Sequence, residues 1–119
     1  MNKSSLGKIF FLIAVLMMLL FKLTSGQEGN IVKFQGIVME LNVKLNSMVV
    51  NEKQVIWNAS TMINNEKGAP SSFDKLQVKS WVYVDGVNDP VAKKIVAKKL
   101  YLLPKYINAK EKSLYPFIQ

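Results

Sequence analysis

Between Ile9 and Phe21 the chain carries thirteen consecutive apolar side chains (IFFLIAVLMMLLF), with Lys3 and Lys8 ahead of them and Lys22, Thr24, Ser25 and Gly26 behind. A basic start, an apolar stretch of about 7–15 residues and small residues before a cut make up a secretory signal peptide. Spanning a bilayer takes about 20 apolar residues, so an uncleaved anchor would need a longer run. The pattern predicts a signal peptide over 1–26, cleaved after Gly26, and a mature chain from Gln27. After that the apolar positions fall into short β-type segments. Residues 31–41 (IVKFQGIVMEL) are β-rich, with Gly36 near the middle, where a glycine predicts a bulge or a sharp coil of the strand. Met48-Val49-Val50 and Gln54-Val55-Ile56-Trp57 flank Asn51-Glu52-Lys53, which reads as a hairpin with a three-residue loop. Residues 58–63 read as the end of that strand and a short continuation. The stretch 64–72 (NNEKGAPSS) is the clearest loop.

The strongest strand is Trp81-Val82-Tyr83-Val84-Asp85, closed by Gly86. Its alternation sends Val82 and Val84 one way and Trp81, Tyr83 and Asp85 the other. Beyond the Asn88-Asp89-Pro90 turn, residues 91–103 (VAKKIVAKKLYLL) admit two readings. Asp89 can cap a helix with Pro90 at its first position and Pro104 stopping it. Alternatively, 95–102 is a lysine-decorated strand pairing back onto 81–86. An Ala-Lys-Lys-aliphatic unit occurs at 92–95 and again at 97–100, a five-residue step that fits neither period. Local signals leave the two readings level. The tail, 105–119, holds Tyr115, Phe117 and Ile118, which either fold back onto the domain or stay loose.

Composition narrows the chemistry. Removing 1–26 leaves 93 of the 119 residues, one small domain over 27–104 and its tail. Cysteine and histidine are both absent. Zinc, copper and haem sites thereby lose their usual ligands, so no metal site and no cofactor is expected. Ser-His-Asp and Cys-His arrangements go as well, and no catalytic residue is assigned. The net charge is +8, and it becomes +5 when Lys3, Lys8 and Lys22 leave with the signal. All 16 basic residues are lysines. Without the guanidinium fork such a surface attracts polyanions as point charges but reads no sequence, which argues against a nucleic-acid partner.

The order of elements resembles a known family. Gly36-Ile37-Val38, the Val49-Val50 and Val55-Ile56 hairpin and Thr61 with Ile63 form a first half. Leu76, Trp81-Val82-Tyr83-Val84-Asp85-Gly86 and residues 96–102 (VAKKLYL) form a second. Together they resemble the exported bacterial domain of unknown function 5666 family over about residues 33–104. Its G-x-V-x-V-x-G stretch and A-x-x-I-x-V strand match Val82, Val84 and Gly86, then Ala97, Leu100 and Leu102. Where that family has a glycine before the first of these strands, this chain has Lys79-Ser80, and lysine takes positive φ less easily. The resemblance implies an all-β fold, a small five-stranded OB-like barrel after a cleavable signal peptide. It also resolves 91–103 as strand. It implies no function.

With Val82 and Val84 inside such a barrel, Trp81, Tyr83 and Tyr101 form an outward aromatic patch edged by Lys98, Lys99 and Lys105. OB-type barrels bind oligonucleotides or oligosaccharides across strand faces of this kind. These six residues are the candidate ligand-binding set, weighed against simple aromatic cover for a small domain. The lysines at 93, 94, 98, 99, 105, 110 and 112 equally serve as a solvated edge that discourages strand addition. Trp57 alternates with Val55 and reads as core or rim. Asn58-Ala59-Ser60 fits the glycosylation sequon, which matters only on a eukaryotic secretory route. Asp85 and Asp89 flank one turn, too few carboxylates for calcium. The sequence thus predicts an exported, periplasmic or extracellular, non-catalytic binding module. Its expected partner is a polyanion, a glycan or another exported protein, with membrane contact only through an uncleaved signal peptide. The alternative is a structural subunit assembled by strand-edge pairing.

Overall fold

The computed structural model describes residues 30–118, so the expected signal peptide over 1–26 lies outside the described residues. Six strands follow in order: β1 (Ile31–Asn42), β2 (Ser47–Val50), β3 (Lys53–Ile56), β4 (Met62–Asn64), β5 (Trp81–Asp89) and β6 (Lys94–Leu103). Three single 3-10 turns, Val43–Leu45, Phe73–Lys75 and Lys112–Leu114, are the helical elements among the described residues. The protein is all-β. Its sheet runs β3-β2-β1-β5-β6-β4, and β3 also pairs with β6.

The expected five-stranded barrel needs two corrections. There are six strands, because the chain leaves its ladder at Trp57 and resumes it as β4. The hydrogen bonding also forms a ring rather than a closed barrel: β3 meets β6 in parallel through only Val55↔Ile95 and Ile56↔Val96. β4 then takes the same side of β6, with Met62 opposite Lys99 and Asn64 opposite Tyr101. The interruption brings Trp57 into the core, where its ring stacks on Phe73 at 5.2 Å and 6°. Thr61 bridges the gap, its hydroxyl donating to the Ala97 carbonyl at 2.6 Å while accepting from the Asn58 N–H at 3.0 Å. Buried polar groups are paired in this way because an orphan costs more than a bond gains.

The segment 91–103 resolves as strand. Asp89 does cap, as the helical reading requires, accepting from the N–H groups of Val91 and Ala92. What it caps is only the β5–β6 turn. β6 instead pairs along its whole length with β5, from Trp81↔Leu103 to Asp89↔Lys94, so β5 also runs three residues past its expected end at Gly86. The register slips between Asp85↔Lys99 and Gly86↔Ala97, leaving Lys98 as the extra residue of a bulge. That bulge explains the five-residue step: Ala97 and Leu100 both enter the core while Lys98 and Lys99 both face solvent. Gly86 makes the bulge sterically feasible, since a β-carbon there would run into the Val96 carbonyl oxygen and sit 3.1 Å from Cα of Ala97.

The β2–β3 connection is a two-residue turn, not the three-residue loop expected, because Lys53 pairs with Val50. Asn51 and Glu52 take φ of 49° and 67°, the pair of positive values that a type I′ hairpin demands. Asn51 also extends the ladder with its side chain, accepting from the Ile37 N–H at 3.0 Å and donating to the Gln35 carbonyl at 3.3 Å. Inside the ring, Val38, Met48, Val50, Val55, Val82, Val84 and Leu100 are fully buried. A second, smaller cluster of Tyr83, Leu103, Ile107 and Ile118 lies on the opposite face of β5 and β6.

Candidate functional site

On the outer face of the sheet, cross-strand register stacks the side chains in rows. Ile37, Trp81 and Leu103 make one row; Gln35, Tyr83 and Tyr101 make the next; Lys33, Asp85 and Lys99 make a third. The strand alternation that groups Trp81, Tyr83 and Tyr101 therefore holds. The tail folds back over the first two rows, covering Tyr83 and leaving Trp81 and Tyr101 partly exposed. Tyr83 is 2% exposed, and Ile107 and Ile118 are buried against it. The Phe117 ring stacks on Tyr101 at 3.9 Å and 1°, and Tyr106 tilts against Trp81 at 5.4 Å.

Gln35 fixes the tail. Its Nε2 donates to the Ile107 carbonyl at 2.7 Å and its Oε1 accepts from the Ile107 N–H at 2.8 Å. One side-chain amide thus satisfies both backbone groups of a residue with no solvent exposure. Lys105 is drawn into the same segment. Its ammonium lies 2.9 Å from Glu111, whose hydrogen bond and charge raise the Lys105 pKa above the ordinary 10.5. Of the six predicted site residues, Trp81, Tyr83 and Tyr101 come together beneath the tail, Lys105 belongs to the tail, and Lys98 and Lys99 stand exposed beside it. Asp85, between Lys33 and Lys99 in register, belongs to a charged row. Among the described residues no group of three acidic, His or Cys side chains gathers for a metal ion.

A concave feature that the sequence reading missed lies at one end of the strand ring. The β2–β3 turn, the β5–β6 turn and the start of β1 surround a recess of about 440 Å³. Val32 and Ile95 provide apolar wall, Gln54 and Asn88 provide amides, and Lys53 and Lys93 provide cations. The Lys53 ammonium lies 4.6 Å from the centre of the Phe34 ring. Glu52 and Lys93, at positive φ of 67° and 56°, both line the recess, so two strained turns shape it. A hollow of about 400 Å³ beside β4, lined by Met62, Pro70 and Phe73 among others, has no charged side chain in its wall. The recess draws on three segments far apart in sequence. No local motif marks it.

No protein-family model, curated protein or solved structure matches this chain. Any functional reading must come from the fold and its surface.

Proposed function

We propose that this protein is an exported, non-catalytic binding module of OB-like architecture, and that it takes an anionic ligand, such as an acidic glycan, in the recess between its β2–β3 and β5–β6 turns. The observation that carries this reading is the placing of Lys53 and Lys93 across one concavity that also offers amide and apolar surface. Lysine is a compact point charge suited to an anion of loosely defined shape. The absence of His and Cys supports a binding rather than a catalytic role.

The OB-like assignment is supported by the ring of pairings, in which β1 is shared between β2 and β5 and the ring closes through parallel β3 and β6. The resemblance to the exported bacterial family belongs to the same proposal. Its support is Lys79, which stands where that family has glycine and has a φ of 72°, a conformation glycine adopts without cost. The alternative, assembly through strand edges, is less well served. The ring already pairs both sides of β2 and of β5, while β1 gives residues 31–37 to β5 and 38–42 to β2.

An NMR titration tests the binding reading, using trigalacturonate as the acidic probe and maltotriose as the neutral one. Amide shifts at 52–54 and 88–94 with the acidic probe alone, reduced by salt, are expected. Shifts confined to the Trp81 indole and residues 106–118 would instead place the ligand under a displaced tail. Absence of shifts with the acidic probe would overturn the proposal.

A further inference from the structure

The recess end also exposes aliphatic side chains that the fold does not need. Val91, in the β5–β6 turn, is 92% exposed, and Ile31, the first residue of β1, is 70% exposed. Both adjoin the recess, because Val91 falls between the lining residues Pro90 and Lys93 and Ile31 precedes the lining residue Val32. Lys53, Lys93 and Lys94 stand at the same end. Among the described residues its acidic groups are Glu52 and Asp89, and the Asp89 carboxylate is engaged by the N–H groups of Val91 and Ala92. Apolar tips set among lysines are the composition of a surface that meets an anionic bilayer: the tips leave water and the cations approach headgroups.

The course of the chain points the same way. It enters the fold here, where the Asn30 carbonyl accepts from the Asn88 N–H at 2.9 Å. Only residues 22–30 separate Ile31 from the apolar run ending at Phe21. Nine residues reach at most about 30 Å. While that run sits at a membrane, the end carrying Val91 and Ile31 is the one held near it.

We infer that the recess end docks on an anionic lipid surface, with Val91 and Ile31 entering the headgroup boundary and Lys53 and Lys93 flanking a lipid phosphate. This rests on the reading of the recess as an anion site and names its partner. Docking does not require the apolar run to stay attached, since the surface is formed by residues 31–94.

The test is flotation of the chain from Gln27 onward, which keeps every residue of both buried clusters. It is run with vesicles of phosphatidylcholine alone and of equal parts phosphatidylcholine and phosphatidylglycerol. Binding to the mixed vesicles only, weakened by salt, is expected. Val91→Asp should lower that affinity about tenfold or more, the scale set by burying one aliphatic side chain. Leu114→Asp, at a 74% exposed aliphatic on the tail, should leave it unchanged. A parallel titration with glycerol 3-phosphate separates the two claims. If Lys53→Gln with Lys93→Gln abolishes glycerol 3-phosphate binding but the parent ignores mixed vesicles, the anion site stands and the membrane partner is refuted. Equal effects of the two aspartate variants also refute docking. A parent that binds neither probe refutes both claims.

Discussion

Replacing Gln35 by leucine removes both hydrogen bonds to Ile107 while keeping a side chain of similar length on the outer face of β1. Each bond contributes a net ~1 kcal/mol, and a buried backbone group left without a partner costs ~1–3 kcal/mol. Ile107 has no exposed surface, so both its N–H and its carbonyl would be stranded unless the tail moves. The expected loss is about 2–4 kcal/mol, bounded above by the free energy of docking the tail, since an undocked tail lets water take over both groups. At ~4–8 °C per kcal/mol for a domain of this size, the melting temperature should fall by roughly 10–30 °C. Urea unfolding followed by tryptophan fluorescence gives the free energy, and the two indole NMR signals show where the damage lies. Trp81, against Tyr106, should shift, and Trp57, stacked on Phe73 in the other cluster, should hold. Gln35→Glu retains the acceptor for the Ile107 N–H and turns a carboxylate oxygen toward the Ile107 carbonyl, so its loss should be at least as large. A leucine variant within about 0.5 kcal/mol of the parent, with amides 106–118 still protected, would refute the argument that Gln35 pins the tail.

Lys79→Gly should stabilise the protein by about 0.5–1 kcal/mol. It relieves a left-handed penalty of ~1–2 kcal/mol at φ 72° and loses part of that to the freer unfolded chain. Lys79→Ala, which removes the charge but keeps the β-carbon, should show none of this gain in the same denaturation assay. Gly86→Ala should destabilise by about 2 kcal/mol or more, because its β-carbon meets backbone at Val96 and Ala97 that the bulge holds in place; differential scanning calorimetry reads it. The raised pKa of Lys105 means that its stabilisation is complete below 10.5 and lost as pH climbs through the raised value. From the lysine side, tail docking followed by Trp81 fluorescence should be flat from neutral pH to about pH 9 and weaken only in strong alkali.

Where pattern and packing agree, the strands were legible. Trp81 to Asp85 alternates cleanly because one face meets the core and the other meets the tail, and the hairpin around Asn51 is marked by its flanking valines. The segment 91–103 was not decidable locally, because Lys98 adds a residue to the strand and shifts its alternation by one. The hairpin loop was read one residue too long because Glu52 occupies a position that usually declares itself as glycine. The surroundings of the candidate site were less legible. Alternation placed Trp81, Tyr83 and Tyr101 together, but exposure depends on what arrives from elsewhere: Tyr115, Phe117 and Ile118 read equally as docked or loose, and Ile107 carries no local signal of its destination. Of the candidate lysines, only Lys98 and Lys99 are both exposed and outside the tail. The recess was invisible because Val32, Lys53 and Lys93 share a neighbourhood only after the ring forms.

The reach of the Gln35–Ile107 bond, 72 residues along the chain, bears on how the molecule is made. During synthesis β1 emerges first and finds β2 close behind it, but its other side waits for β5, and its outer face waits for the tail. At about 5–20 residues per second that wait lasts several seconds, long after local hairpins have formed. Throughout it, residues 31–37 of β1 present an unpaired edge to neighbouring chains. Lys33 and Gln35, the polar positions on that segment, are the kind of side chain that keeps a waiting edge from recruiting a stranger. Their usefulness to the nascent chain precedes any role in the finished fold.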